Sequence, residues 1–382
     1  MKKKPALSGF RIIKGKKKRL SLIVTLSIIL IAVTVVLVFH FSTPTGMYEY
    51  IQNNYALTVD SGDNSMVDPN ATVEQFEGKS NAAFLLTNTY FEIFNSKGNN
   101  VLYFKHGFAN PAMDVAEARI LVFDRGGKNY KIFNFSTVLF EGSMQNKIIS
   151  ADLARNGKQA FVTLSNAYAS ELAVFNKDNK QLFVWNSSNI LTDVSFNSDA
   201  SLVAVSGVYT ESGTLSSKVC IINASNGNVK HTLDFKGELI SSLIEYSGKI
   251  LAATENRIYV INCKNGEYSH IDLDGTISFI DVNKAGKLMV VYSRQDMQTY
   301  NNISIFSKKI ELESSIVINA VLADIISDKD NIYAVYDNKM CIYDFDGNLM
   351  DTIKNEANVQ RIDFVGNEIL ACGTSKIILL TE

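Results

Sequence analysis

The chain has 382 residues, of which 46% are hydrophobic and 10% aromatic, and it contains only four prolines. This composition excludes an intrinsically disordered protein and allows a large buried core. The charge is unevenly distributed. Residues 1–19 contain nine Lys or Arg and no acid, whereas the rest of the chain contains 28 basic and 39 acidic residues, a net charge of −11.

The first predicted element is a membrane span. Residues 20–41, LSLIVTLSIILIAVTVVLVFHF, contain no Asp, Glu, Lys or Arg, and sixteen of them are Leu, Ile, Val or Phe. A helix of this length spans about 33 Å, enough to cross a hydrocarbon core about 30 Å thick. We therefore predict a single transmembrane helix over residues 20–41.

The flanking charges predict its orientation. The basic cluster RIIKGKKKR ends at residue 19, and no Lys or Arg occurs from residue 20 to residue 78. Positive residues remain on the cytoplasmic side, so residues 1–19 are expected to be a cytoplasmic tail. HFSTPTG, which follows the span, offers no A-x-A-like cleavage site, which favours an uncleaved anchor over a signal peptide. The expected location is the cytoplasmic membrane, with one pass and residues 54–382 outside the cell, joined by a tether over residues 42–53.

Beyond the tether, short apolar runs alternate with tight turns. VCIINASNGNVKHTL (219–233) and YVINCKNGEYSHIDL (259–273) repeat one pattern, a strand, a glycine-containing turn and a second strand. Gly, Asn and Asp recur in these turns because hairpins need positive φ angles. No stretch shows sustained helical periodicity, so an all-β fold is predicted.

The turns divide the chain into repeats of about 41 residues, the period of four-stranded propeller blades. We predict an eight-bladed β-propeller, with seven blades as the alternative. The last unit has three strands, and residues 54–59, NYALTV, are expected to supply its outer strand and close the ring. The predicted blades are 71–110, 111–147, 148–189, 190–238, 239–275, 276–319, 320–357 and 359–382.

Three stretches carry a resemblance to a known family: ILVFDRGGKNYKIFN (120–134), residues 156–185 and the apolar anchor. Together they resemble an uncharacterised family of Gram-positive bacterial membrane proteins. The resemblance implies a short basic tail, one span and an outer propeller with quinoprotein-like or WD40-like blades. It implies no activity, and no functional residue is carried over.

Enzymatic and metal-binding motifs are absent from the sequence. We find no G-x-S-x-G, G-x-x-x-x-G-K-[ST], G-x-G-x-x-G or H-E-x-x-H pattern, and no catalytic residue, metal site or cofactor is predicted. His106, His231 and His270 fall in three separate blades. The cysteines lie on separate apolar runs without a C-x-x-C pair, which predicts small buried residues, and Trp185 is expected to pack between blades. The cysteines are Cys220, Cys263, Cys341 and Cys372.

The connections between the second and third strands of a blade favour recognition, because propellers place binding sites on loops of a rigid scaffold. Residues 207–218 and 293–302 are expected to be long loops on one face, and residues 165–171 an intermediate one. The predicted binding face combines aromatic, apolar and charged residues. Its members are Tyr168, Tyr209, Glu211, Arg294, Asp296, Met297 and Tyr300.

Three functions remain open at this stage. The leading hypothesis is a non-enzymatic interaction or scaffold module of the cell envelope, bound to the membrane through its N-terminal helix. Its acidic charge favours an envelope protein or basic polymer as partner and disfavours nucleic acid. The second is a hydrolase of cell-wall glycan with Glu211 and Asp296 as first suspects. The third is a sensor, which the short cytoplasmic tail disfavours.

Overall fold

The computed structural model describes residues 14–41, 46–58, 66–294, 300–354 and 358–380. Two helices come first, α1 at Lys14–Phe41 and α2 at Met47–Thr58. A search of these described residues for a helix long and apolar enough to cross a membrane found none.

All remaining elements are β-strands, arranged as eight antiparallel sheets of consecutive strands. The strands of the first four sheets are β1 Val73–Lys79, β2 Ala82–Thr87, β3 Tyr90–Asn95, β4 Asn100–Lys105; β5 Pro111–Val115, β6 Ile120–Asp124, β7 Asn129–Phe133, β8 Val138–Ser143; β9 Ile148–Leu153, β10 Gln159–Leu164, β11 Ser170–Phe175, β12 Gln181–Ser187; and β13 Ile190–Phe196, β14 Leu202–Glu211, β15 Thr214–Asn223, β16 Val229–Phe235.

The other four sheets repeat this arrangement, and the last of them has three strands. Their strands are β17 Ser242–Tyr246, β18 Lys249–Ala253, β19 Arg257–Ile261, β20 Tyr268–Asp272; β21 Thr276–Val282, β22 Leu288–Ser293, β23 Tyr300–Phe306, β24 Leu312–Asn319; β25 Asp324–Ser327, β26 Asn331–Tyr336, β27 Lys339–Asp344, β28 Leu349–Lys354; and β29 Arg361–Val365, β30 Glu368–Cys372, β31 Ile377–Leu380.

The sheets are the blades of a closed eight-bladed β-propeller. The first strand of blade 1, β1, contacts the first strands of blades 2 and 8, β5 and β29. Each of the eight junctions between blades holds its own buried apolar cluster. The eight-bladed prediction and its blade boundaries are confirmed, and the seven-bladed alternative is wrong.

Burial explains the strand patterns. In β2, Phe84 and Leu86 pack towards blade 2, while Ala83 and Leu85 pack towards blade 8, so the whole strand is buried and apolar. Outer strands keep one face in solvent and therefore alternate, as β24 does. Both repeats quoted above form a strand, a turn and a second strand, as predicted, and these are the third and fourth strands of a blade.

The turns between the third and fourth strands share one capping device. The first polar side chain of each turn accepts a hydrogen bond from the backbone N–H two residues later, as Asn95 does from Lys97 at 3.0 Å and Asp344 from Asp346 at 3.0 Å. In blade 5, Gly266 has φ +77, and a Cβ there would lie 2.8 Å from His231 Nδ1. These turns therefore begin with Asn, Asp or Ser, and near the end a positive φ is supplied by Gly98, Gly227, Gly266 and Gly347 in four of them and by Asn179 and Ile310 in two others.

The predicted closing strand is wrong. Residues 54–58 belong to α2, because Asn53 and Ala56 face the propeller at helical spacing and are buried there. The last blade is completed by a shorter segment instead: Met66 forms an antiparallel bridge with Lys376, and the Val67 N–H donates to Ser375 O at 2.9 Å. The ring is therefore closed by residues from both ends of the chain, as expected, but through Met66 and Val67 and not through residues 54–59.

Candidate functional site

The propeller has two faces that differ in what covers them. The turn face carries the hairpin turns between the first and second strands and between the third and fourth strands. The loop face carries the other connections, including 125–128, 165–169, 212–213, 254–256, 337–338 and those between blades. Every predicted binding residue that the structure describes belongs to the loop face or to strands ending there.

Residues 207–218 are not a loop. They extend β14 and β15 into a long hairpin that turns at Ser212 and Gly213, with cross-strand pairing from Gly207 to Glu211. Tyr209 lies beneath the Lys218 ammonium, 5.1 Å from the ring centroid, and Glu211 forms an ion pair with Lys236 at 3.1 Å. The predicted loop is part of the sheet because Val208 and Tyr209 pair across the hairpin with Ser217 and Ser216.

The other predicted binding residues are spread over two further blades. Tyr168 and Tyr300 are 55% and 42% exposed. Arg294 Nε donates to Asp274 Oδ2 at 3.1 Å, whereas Asp296 and Met297 lie outside the described residues. The contacts of Tyr209, Glu211 and Arg294 named above join residues of one blade or of adjacent blades, and convergence of the face on one partner stays a prediction.

Helix α2 docks on the part of the turn face formed by blades 1 and 2. Arg119, on the turn that precedes β6, donates through Nε and Nη2 to the two carboxylate oxygens of Glu49, at 3.0 and 2.6 Å. The Arg119 side chain is only 4% exposed and that of Glu49 15%. Arg119 Nη1 also donates to Lys177 O, on a turn of blade 3. This bidentate, desolvated pair fixes the start of α2 against blade 2.

A second set of contacts fixes the rest of α2. Asn53 Nδ2 donates to Ala118 O at 3.0 Å, and its Oδ1 accepts from the Phe135 N–H at 2.9 Å. Asn95 Nδ2 donates to Leu57 O at 3.3 Å, which reaches blade 1. Ala56 joins the apolar cluster between blades 1 and 2. The helix therefore bridges two blades, a role that sequence reasoning missed because it interpreted residues 42–53 as a tether.

Inside the ring, every first strand carries a carboxylate. Glu245 accepts from the Gly248 N–H of its own hairpin at 2.8 Å. The other seven have raised pKa values, mainly because burial disfavours the charged form. They are Glu77, Asp114, Asp152, Asp193, Asp281, Asp324 and Asp363.

Five of these seven carboxylates join adjacent blades. The Phe196 N–H donates to Asp152 at 2.9 Å, the Leu243 N–H to Asp193 at 2.7 Å and the Gly78 N–H to Asp363 at 2.7 Å. Asp114 accepts from Leu153 and Asp324 from Ile362 in the same way. The innermost strand has no partner on its inner edge, so each carboxylate satisfies an otherwise unpaired N–H of the following blade.

Burial raises the pKa of Glu77 to about 7 and that of Asp363 to about 8. The nearby carboxylate of Asp281, itself raised to about 6, adds repulsion to both. A further buried carboxyl, Glu92 on β3, is 5% exposed, accepts from Asn100 Nδ2 at 2.9 Å and has a pKa raised to about 7. Carboxyls buried inside the ring and within blade 1 therefore retain protons near neutral pH.

The inner carboxylates were missed because each first strand was assessed on its own. The signal becomes visible when the blades are aligned, since each first strand contains one acid within about four residues of its hairpin turn. In Asp114–Val115, Asp281–Val282 and Asp363–Phe364 an apolar residue follows the acid directly. The acids lie one to three residues before the last residue of their strands, and five of them share the role of accepting an N–H group from the next blade.

The remaining candidates are structural in the described part of the chain. Trp185 packs on the cluster between blades 3 and 4, beside a cleft of about 230 Å³, as predicted. The four cysteines are buried and unpaired. His106 accepts from the Phe108 N–H and lies 2.9 Å from Thr87 O, which accounts for its burial. No group of three potential metal ligands occurs among the described residues.

Comparison with known protein families assigns the chain to one of them. The DUF5711 profile, which describes a family of unknown function, matches residues 58–381. The chain belongs to the DUF5711 family. This confirms the resemblance to an uncharacterised family, while Gram-positive origin and membrane anchoring stay predictions. Among curated proteins, none is significantly similar in sequence.

Solved structures similar to this DUF5711 chain confirm the fold. The computationally designed protein Ika8 matches with a TM-score of 0.60 and 12% identity, over 81% of this chain and 96% of its own. BamB from Moraxella catarrhalis matches with a TM-score of 0.53 and 10% identity, over 82% of this chain and 94% of its own. Identities this low show a shared propeller architecture and no shared activity.

Proposed function

We propose that this DUF5711 protein is a non-enzymatic interaction module of a bacterial cell envelope, anchored in the cytoplasmic membrane, with the propeller outside the cell. The observation that carries the proposal is the difference between the faces. The helix that follows the proposed anchor docks on the turn face, so the loop face is directed away from the anchored end. Its hairpin and exposed tyrosines are then available to a partner.

The anchor is supported by residues 20–41, in which sixteen of 22 residues are Leu, Ile, Val or Phe. The basic residues before it and their absence from residue 20 to residue 78 support a cytoplasmic N-terminus. The partner is an envelope protein or basic polymer, because the chain beyond residue 19 has a net charge of −11.

Site-specific photocrosslinking in intact cells tests this function. A photoreactive amino acid replaces Tyr168 or Tyr300 on the loop face, and Tyr103 on β4, which is 49% exposed, serves as the control. We expect adducts with one common partner from both loop-face positions and none from Tyr103. Adducts from Tyr103 alone, or none from either loop-face position, would contradict the proposal.

A glycan hydrolase is the second candidate. It is favoured by inner carboxyls such as Glu77, whose pKa near 7 would suit a general acid. Against it, five of the seven carboxylates already accept backbone N–H groups of the next blade, and Glu211 pairs with Lys236. Hydrolysis of purified cell-wall fragments by the full chain, abolished by Glu77→Gln, would establish this candidate instead.

A further inference from the structure

The outward side of α2 has an unusual polarity. Tyr48, Ile51 and Tyr55 are 74%, 54% and 71% exposed. Their spacing of three and four residues places them on one side of the helix, which we call the tyrosine strip. The opposite side carries Glu49 and Asn53, which bind the propeller. The side of the helix that faces the propeller thus combines these polar residues with Ala56 and Leu57, whereas Tyr48, Ile51 and Tyr55 face outwards.

We propose that the tyrosine strip lies in the headgroup region of the membrane in which α1 anchors the chain. The turn face of blades 1 and 2 then rests on the lipid surface. This inference rests on the proposed anchoring and adds an orientation to it. Tyrosine suits that environment, since its ring is apolar and its hydroxyl forms hydrogen bonds at the water interface.

The length of chain between the helices supports a lipid partner. Only residues 42–46 separate Phe41 at the end of α1 from Met47 at the start of α2. Six Cα-to-Cα steps reach no further than about 22 Å even when fully extended. If α1 spans the membrane and ends near its surface, α2 is therefore held within a short distance of the headgroups.

Charge and area favour the same partner. Glu49 is the only charged residue in α2, and its charge is neutralised by Arg119. Contact of α2 with lipid therefore does not dehydrate an unpaired charge. The strip has three large side chains of at most about 250 Å² each, and their sum is less than the roughly 800 Å² that one partner of a stable protein interface buries. A lipid interface needs no such minimum area.

Tryptophan fluorescence of the full chain in vesicles tests the proposal. The chain has one tryptophan, so Trp185→Phe provides a dark background in which Tyr55→Trp reports on the strip. Tyr168→Trp, on the loop face and 55% exposed, is the matched control. The vesicles contain equal parts phosphatidylglycerol and phosphatidylethanolamine, with or without bromine on the acyl chains near the headgroups.

We expect brominated lipid to remove most of the fluorescence of the residue-55 reporter and none from the residue-168 reporter. An unquenched residue-55 reporter in a chain that still floats with the vesicles would overturn the strip but leave the anchor intact. A blue-shifted but unquenched reporter would indicate a protein partner and would also overturn it. Failure to float would refute the anchor and the strip together. If Trp185→Phe unfolds the chain, Trp185 is retained and its constant signal is subtracted.

Discussion

The two faces of this propeller use their side chains differently. On the turn face, Arg119, Asn53 and Asn95 all take part in hydrogen bonds that hold α2 against two blades. On the loop face, Tyr168 and Tyr300 remain largely in solvent. A side chain held in a buried network contributes to stability, whereas an exposed one is free to contribute to recognition. We therefore predict that substitutions on the turn face lower stability, whereas substitutions on the loop face weaken partner binding.

The largest effect on stability is expected at Arg119. Arg119→Met leaves the Glu49 carboxylate poorly hydrated and without its partner, which should lower the free energy of unfolding by about 3–5 kcal/mol. Urea unfolding of the full chain measures this. Arg155 is the matched control: it pairs with Glu117 at 3.6 Å, but both side chains are more than half exposed. Arg155→Met should cost less than about 1 kcal/mol, and equal losses would refute the assignment of α2 docking to the Arg119 pair.

Three buried carboxyls predict a second effect, on the pH dependence of stability. Asp363, Glu77 and Glu92 have pKa values of about 8, 7 and 7, above those of unfolded carboxyls. Between about pH 5 and pH 8 the folded chain therefore binds more protons than the unfolded chain, and stability falls as pH rises. We expect the free energy of unfolding to be greater at pH 5 than at pH 8 by at least about 3 kcal/mol.

Glu92→Gln sharpens this prediction. Glutamine retains an oxygen that can accept from Asn100 and removes the titrating group, so the variant should gain most over the parent chain above about pH 7 and little near pH 5. Urea unfolding at several pH values measures the difference. Glu141→Gln, at an acid that is 59% exposed, should leave the slope unchanged. A slope that Glu92→Gln does not alter would contradict its buried, protonated state.

The smallest effect on stability is expected on the loop face. Tyr168→Ala removes a side chain that is 55% exposed, so the unfolding free energy should change by less than about 0.5 kcal/mol. Partner binding should nevertheless weaken about tenfold if Tyr168 is an interface anchor. Unfolding curves and binding of the crosslinked partner are compared on one preparation. A large loss of unfolding free energy with partner binding unchanged would contradict this assignment of roles to the two faces.

The sequence was sufficient for the blades because their turns recur at a regular period. Asn95, Asn134 and Asn176 begin equivalent turns, and aligning such residues yielded the blade boundaries correctly. The closing strand was misassigned because NYALTV contains β-formers, while the helix it belongs to is held in place by Glu49 and Asn53, which bind Arg119 and Phe135, far away in the chain. Propensity was overridden there by tertiary packing.

The candidate site was harder to predict than the fold. Whether Tyr168, Tyr209 and Tyr300 share one partner depends on distances across blades, which a local pattern does not encode. The hairpin around Ser212 was interpreted as a loop because its small polar residues resemble turn composition. The inner carboxylates required comparison of all eight blades before their recurrence in every first strand was visible.

Labelling of introduced cysteines in intact cells tests the central claim most directly, because the four native cysteines are buried and give little background. Tyr168→Cys lies on the loop face of blade 3, and Asp178→Cys lies on the turn face of the same blade, beside the Lys177 carbonyl that Arg119 contacts. With a bulky, membrane-impermeant maleimide, we predict rapid labelling at residue 168 and slower labelling at residue 178. Labelling of both only after lysis, or faster labelling at residue 178, would contradict an external propeller that directs its loop face away from the membrane.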